Sequence, residues 1–531
     1  MRDIKNFSSE PYTGTWSNAQ RQHLLNRTLF GSTAKDLKAF ENKSLAQCID
    51  EIIEPSPAPS PPVNYYESRQ EDTTGVKEGE TWIRAPYGDG TLNSRRRQSL
   101  RYWWFQQMWF QERTIQEKLV LFWHNHFATQ MEVYSRAHFA YEYQNTLREH
   151  SFGNFKEFAK VITLDPAMLV YLNGRENTKN SPDENYAREL QELFTIGIGD
   201  HSDYTQDDVR AAARVLTGHY ASKSTQTYRF NGKNHDTEDK QFSDYYDNTI
   251  ISGRSGQNGQ YEVDDLLDMI FKKEEVSRFM VRKFYRFFIY YEIGPQVEAE
   301  FIEPMAQLFR DNNYEIKPLL KAFFSSQHFF DTAFYGAIIS SPLDFLVKTL
   351  RHLEPPLPTL EENVYSNYSI SGAYMRFAES TQQYIGDPPS VSGWPAYHQI
   401  PLYHEIWINS DTYQKRNQSI LLLMYNEVRR GGYRVVIDVI NYASQFSNPG
   451  DPNKLIDDIA ETLFSLPIKA ELKSKIKTDI LLSGQSNDFY WTELWLAYES
   501  DPTNVNITLP VEERLRSLML YLMSLPEYQL I

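Results

Sequence analysis

The sequence predicts a mainly α-helical protein, one large multi-helix domain with a small β-hairpin insertion near residues 219–261. Three observations carry this prediction. Apolar residues recur at helical spacing along most of the chain. Capping residues open several of those stretches. The period shortens in one place, between His219 and Tyr261, where TQTYRFN, QFSDYY and NTIISG alternate with Gly and Asn.

In chain order, residues 1–54 form an N-terminal helical segment in which Ser44 caps LAQCIDEII. Residues 55–93 read as a Pro-rich linker or surface strap followed by a long loop, because EPSPAPSPPV cannot be helical. Residues 94–408 form the main helical domain. Its first helix, from Ser94, is basic and then aromatic. Thr114 with Glu117 reads as a capping box for IQEKLVLFWHNHF, and Thr205 with Asp208 as one for QDDVRAAARVL. The stretch 386–408 has no periodicity and holds the GWP tripeptide in a Pro-stiffened loop. Residues 409–531 are expected to supply at least four more helices packed on the main domain.

Composition narrows the function. The 531 residues carry 54 basic and 70 acidic side chains, a net charge of −16 that repels phosphate backbones and argues against nucleic-acid binding. The single cysteine, Cys48, excludes an intramolecular disulfide framework and any cysteine-rich metal site. No apolar run reaches the ~18 residues of a transmembrane segment. The opening MRDIKNFSSEPYTG shows no signal peptide. Phosphate-binding loops, GxGxxG, GxSxG and HExxH are all missing, and no histidine follows a glutamate at the Glu-x-x-His spacing.

Three constellations remain. His124 and His126 in FWHNHFAT would point about 200° apart on a continuous helix, so they share a metal or proton only if the helix ends there. In SPDENYARELQELFTIG, Tyr186, Leu190, Leu193 and Gly197 give the buried stripe, and Asn185, Arg188, Glu189 and Glu192 a polar one. That polar stripe reads either as acid–base machinery or as solvated ion pairs from Arg188 to Glu184 and Glu192. The third is split between GKNHDTEDK, with His235, Asp236 and Lys240, and the 386–408 loop, with Asp387, Trp394, His398, His404 and Trp407. Exposed rings beside carboxylates suit a sugar-like ligand; a packing loop is the plainer reading. Arg95, Arg96, Arg97 and Arg101 read as a solvated helix face or a phosphate site.

Taken in order, HLLNRTLFGST, FWHNHFAT, ENYARELQELFTIG, RVLTGH, His235-Asp236 with Lys240, VRKFYRFF, SPLDFL and SVSGWP resemble the bacterial domain of unknown function 1800 family over nearly the whole chain. The resemblance implies an exported, periplasmic or extracellular setting and a partner similar to alkaline phosphatases and sulfatases encoded nearby. The family's motif positions fall on His124, His126, Glu184, Asn185, Arg188, Glu189, Glu192, His235, Asp236, Gly393 and Trp394. The chain departs from the family where Gly386-Asp387-Pro388 replaces Gly-Gln-Pro, and where AYHQIPLYHE follows GWP.

The resulting expectation is a hydrolase acting on a polar extracytoplasmic substrate such as a glycan. Glu189, Glu192, Arg188, His235 and Asp236 are its catalytic residues. His124, His126 and Asp236 hold a divalent metal ion. Asn185, Trp394, His398 and Asp387 bind substrate. The rival expectation is a non-catalytic binding or scaffold protein for the phosphatase/sulfatase-like partner.

Overall fold

The computed structural model describes residues 4–199 and 202–531, and over them the chain is helical from end to end. The β structure among the described residues is three two-stranded antiparallel sheets. β1 (His219–Ser222) pairs with β2 (Thr227–Phe230), and β3 (Lys240–Gln241) with β4 (Ile250–Ile251), all inside the predicted insertion. The third sheet, β5 (Val428–Arg430) with β6 (Tyr433–Val435), corrects the all-helical reading of residues 409–531. Its turn is Gly431-Gly432, both at positive φ, a two-residue hairpin turn that only glycine enters freely.

Two buried apolar clusters organise the helices. The larger gathers residues from Leu24 to Val435 together with Ile531 and includes Trp104, Trp123, Phe284 and Trp394. The smaller, built on Ile459, Trp491, Leu518 and their neighbours, belongs to the C-terminal helices and meets Phe345. Most of the aromatic excess is therefore core. The Pro-rich stretch is a strap across the first long helix, Gly90–Phe110, where the Trp103 indole donates to the Ser60 carbonyl at 2.7 Å.

Helix capping follows the sequence at Ser44 and Thr205 but not at Thr114. The Gln116–His126 helix has Ile115 at its cap, and Glu117 is taken by Arg148 in two bonds of 2.8 Å. The arginines of the preceding helix are not a solvated face. Arg96 is buried on Asp72 at 2.9 Å, Arg97 on Glu132 at 2.8 Å, and Arg101 joins Glu132 to Asp387. No helix of the described residues is long and apolar enough to cross a membrane.

Candidate active site

Glu189 closes the Glu184–Glu189 helix, which Asp183 caps by accepting from the Asn185 amide at 2.9 Å. From Leu190 to Thr195 the chain continues as a π-helix, a widened turn that is rare and concentrates at functional sites. The extra residue shifts the buried stripe. Tyr186 and Leu190 are buried as predicted, but Leu193 is only partly covered, and Gln191, Phe194 and Thr195 take the inward positions. Gly197 ends the segment at φ +92°, where a Cβ would sit 2.6 Å from the Phe279 ring.

The polar stripe divides into two kinds of residue. Arg188 pairs with Glu184 at 3.2 Å and Glu192 at 3.5 Å, and also donates to Gln206, at a part-exposed surface. Asn185 is exposed beside them. Glu189 is half-buried and makes no hydrogen bond or ion pair among the described residues. Burial holds its carboxyl above the ordinary carboxylate range, and the charge of Glu192 adds to this against a weaker pull from Arg188.

The charges of Glu189 and Asp387 both bear on Tyr171. Burial, then Glu189, then Asp387 push the Tyr171 phenol up to about 12, so both acids lie within electrostatic reach of one hydroxyl. Asp387 is held by Arg101 and by the Glu132 amide at 3.0 Å. Its loop is clamped twice: Met131 N donates to the Gly386 carbonyl at 3.0 Å, and the Gln130 side-chain Nε2 to the Pro388 carbonyl at 2.8 Å. Gly386 has φ +85° and lies so close to the Met131 side chain that a Cβ would meet it at 2.5 Å.

Further along the loop, the Trp394 amide donates to Asn125 Oδ1 at 2.8 Å, and its indole stands edge-on to His124 at 5.6 Å. The loop and the FWHNHFAT helix thus share one buried junction. There His124 lies among Trp104, Tyr143 and Trp394, with neither ring nitrogen hydrogen-bonded, and burial lowers its pKa to about 3. Trp104 Nε1 is likewise buried without a partner, and Thr129 lies by the Tyr134 and Tyr143 hydroxyls. Asp165, whose charge bears on both tyrosines, has its carboxyl raised to about 7 by burial, against the pull of the Ala167 amide.

The chain's other histidine cluster is closed. His235 is fully buried, with Nδ1 2.9 Å from the Thr217 carbonyl and Nε2 2.9 Å from Glu262 Oε1. Glu262 also accepts from Lys240 Nζ and the Arg254 amide, each at 2.6 Å. Gly259 lies against the imidazole so tightly that a Cβ would be 2.3 Å from the ring. Asp236 is turned to Arg214 at 2.7 Å.

The match to known families falls on this same frame of motifs. Residues 23–530 fit the family model described as "Protein of unknown function (DUF1800)". The chain belongs to this family. No curated protein and no solved structure matches it.

In this DUF1800 chain the predicted site residues fall into three places. Arg188 and Glu192 pair on one surface, Glu189 lies beside them and Asn185 is exposed on the same helix; Tyr171, which feels the charge of Glu189 more than that of Asp387, marks the rim of that surface. His235 and Asp236 belong to the insertion and do not join that rim; their partners are Thr217, Glu262 and Arg214. The predicted metal set His124, His126 and Asp236 does not converge, because both histidines lie within one unbroken helix and face apart. His126 sits among Phe122, Phe127 and Phe194, with Nε2 3.1 Å from the Phe194 carbonyl. No group of three or more His, Cys, Asp or Glu among the described residues is placed to hold a metal.

Trp394 is 1 % exposed, so its ring face is unavailable to a ligand and its predicted substrate contact is corrected to packing. His398 is exposed, its imidazole lowered by partial desolvation and then by Lys283. Lys283 is a residue the sequence did not single out. Burial brings it to about 8, over the Phe279 ring at 5.1 Å and close enough to lower His126 as well.

Proposed function

We propose that the chain is a hydrolase using carboxylate acid–base chemistry on a polar extracytoplasmic substrate, with a glycan as the substrate class. Glu189 is the proton donor: a half-buried, unpaired carboxyl with raised proton affinity stays protonated where an exposed glutamate has ionised. That single observation carries the reading. Glu192 serves as the ionised neighbour, Arg188 keeps it in place, and Asp387, fixed by Arg101, accepts a substrate hydroxyl. Tyr171, kept neutral by burial and by the charges of both acids, is a neutral donor near Glu189. The exported setting rests on the family resemblance.

The test is a panel of chromogenic aryl glycosides, with aryl phosphates and esters for comparison. Glu189→Gln is expected to lower turnover by roughly 10²–10⁴, the range of general acid catalysis, without moving the unfolding midpoint. The scaffold reading is favoured by one observation, the closed His235–Glu262–Lys240 cluster. It prevails if the wild-type chain hydrolyses no probe, or if Glu189→Gln hydrolyses them as fast as wild type.

A further inference from the structure

A polar cavity of ≈ 480 Å³ lies on the hairpin insertion, between β1 and the turn at residues 174–178, on elements that supply none of the rim residues. Its size is that of a small-ligand pocket. The floor is rigid: the Gly218 amide donates to the Asn177 carbonyl at 3.0 Å, and the Asn231 amide to the Gly218 carbonyl at 2.8 Å. Gly218 is required there, since φ is +88° and a Cβ would meet the Asn231 carbonyl at 2.8 Å.

The side chains around this floor have unspent polar capacity. His219 is 2 % exposed and lines the cavity. Its Nδ1 is 2.9 Å from the Tyr228 hydroxyl, whereas Nε2 is buried with no partner. Burial keeps the imidazole neutral and its ring closed off from the cavity, so His219 holds Tyr228 and the floor in place. The side-chain Nδ2 of Asn231 and the whole side-chain amide of Asn234 make no hydrogen bond among the described residues. Tyr220 stands on the rim with 36 % of its surface exposed. At the mouth Arg175 pairs with Glu176 at 3.1 Å, and Lys223 is exposed.

We propose that this cavity binds a pyranose saccharide. Neutral side-chain amides suit vicinal hydroxyls, and the exposed phenol ring suits the apolar face of a sugar. An apolar peptide needs an apolar floor, which the cavity lacks, and Lys223 at the mouth leaves room for an acidic pyranose. The Pro166–Tyr171 helix, which carries Tyr171 of the rim, packs directly on β1, so the cavity can hold a distal unit of a glycan whose other end reaches that rim. Saccharide binding here does not depend on Glu189 being catalytic.

A glycan array covering neutral, amino and acidic pyranoses, probed with the full chain, tests the proposal and separates uronates from neutral sugars. Binding to at least one pyranose is expected. It should fall at least tenfold in Tyr220→Ala and in Asn234→Ala, both exposed and outside the core, and persist in Glu189→Gln. Binding to no spot, or binding unchanged in Tyr220→Ala and Asn234→Ala, overturns the proposal. Loss in Glu189→Gln alone also overturns it, by placing the sugar at the Tyr171 rim, and leaves the hydrolase reading standing.

Discussion

Glu262 and Glu189 are the same side chain put to opposite uses. Glu262 is fully buried and receives a histidine, a lysine and a backbone amide. Glu189 is half-buried and receives nothing, beside a second acid. Depth alone would rank Glu262 as the more perturbed site. Satisfaction of the carboxylate reverses that order, because a fully bonded ion in a closed cage has no valence left for a substrate. The histidine motif of the insertion is therefore architecture, and the glutamate at the α–π junction is the group left open for chemistry.

Four substitutions sharpen this contrast. The largest effect belongs to Glu262→Ala, which leaves Lys240 and His235 buried without their anion. A loss of about 3–5 kcal/mol of unfolding free energy is expected in urea denaturation. A loss below about 1 kcal/mol would mean that the cage does not hold the insertion together.

Next comes Asp165, whose carboxyl keeps its proton to about 7 in the folded chain, against an unperturbed 3.8. Across that window the folded state binds more protons than the unfolded state, so stability falls as pH rises from about 4 to about 7. The slope approaches 1.4 kcal/mol per pH unit, on the order expected for one group. Asp165→Asn keeps the acceptor for the Ala167 amide and should flatten the slope; an unchanged slope would assign it to other groups.

Gly386→Ala forces a side chain into a left-handed backbone position against Met131 and is expected to cost about 1–3 kcal/mol. Thermal unfolding checks this, and a neutral result would show that the Asp387 loop is looser than its clamps imply. The smallest effect belongs to Arg188→Ala, whose ion pairs lie at a part-exposed surface. Stability should change by less than about 1 kcal/mol, while the proton affinity of Glu189 rises further because an opposing charge is gone. A fall in that affinity would contradict the electrostatic account of the rim.

The helical class and the place of the β insertion were legible because both periods are local properties of the sequence. The β5–β6 hairpin was not anticipated: Gly431-Gly432 carries the turn signal, and the long helical run before it concealed that signal. The Glu189 stripe was readable as a helix face, but the π-turn that exposes Glu189 and turns Leu193 partly outward depends on packing of Phe194 and Gly197 against distant residues. Glu262 and Lys283 could not be singled out, since one is an ordinary first-turn glutamate and the other one basic residue among several. What made them notable is their neighbours, His235 for the first and Phe279 with His398 for the second. Trp394 misled for the same reason: composition made it a ligand platform, whereas its amide on Asn125 and its ring on His124 bury it.

The open-against-closed distinction is tested most directly by carboxyl footprinting of the native chain. A carbodiimide with glycine ethyl ester, read by mass spectrometry, reacts with accessible carboxyls and favours protonated ones. Glu189 is predicted to be modified early and Glu262 to remain unmodified until the chain unfolds. Protection of Glu189, or labelling of Glu262 at an equal rate, would contradict the account.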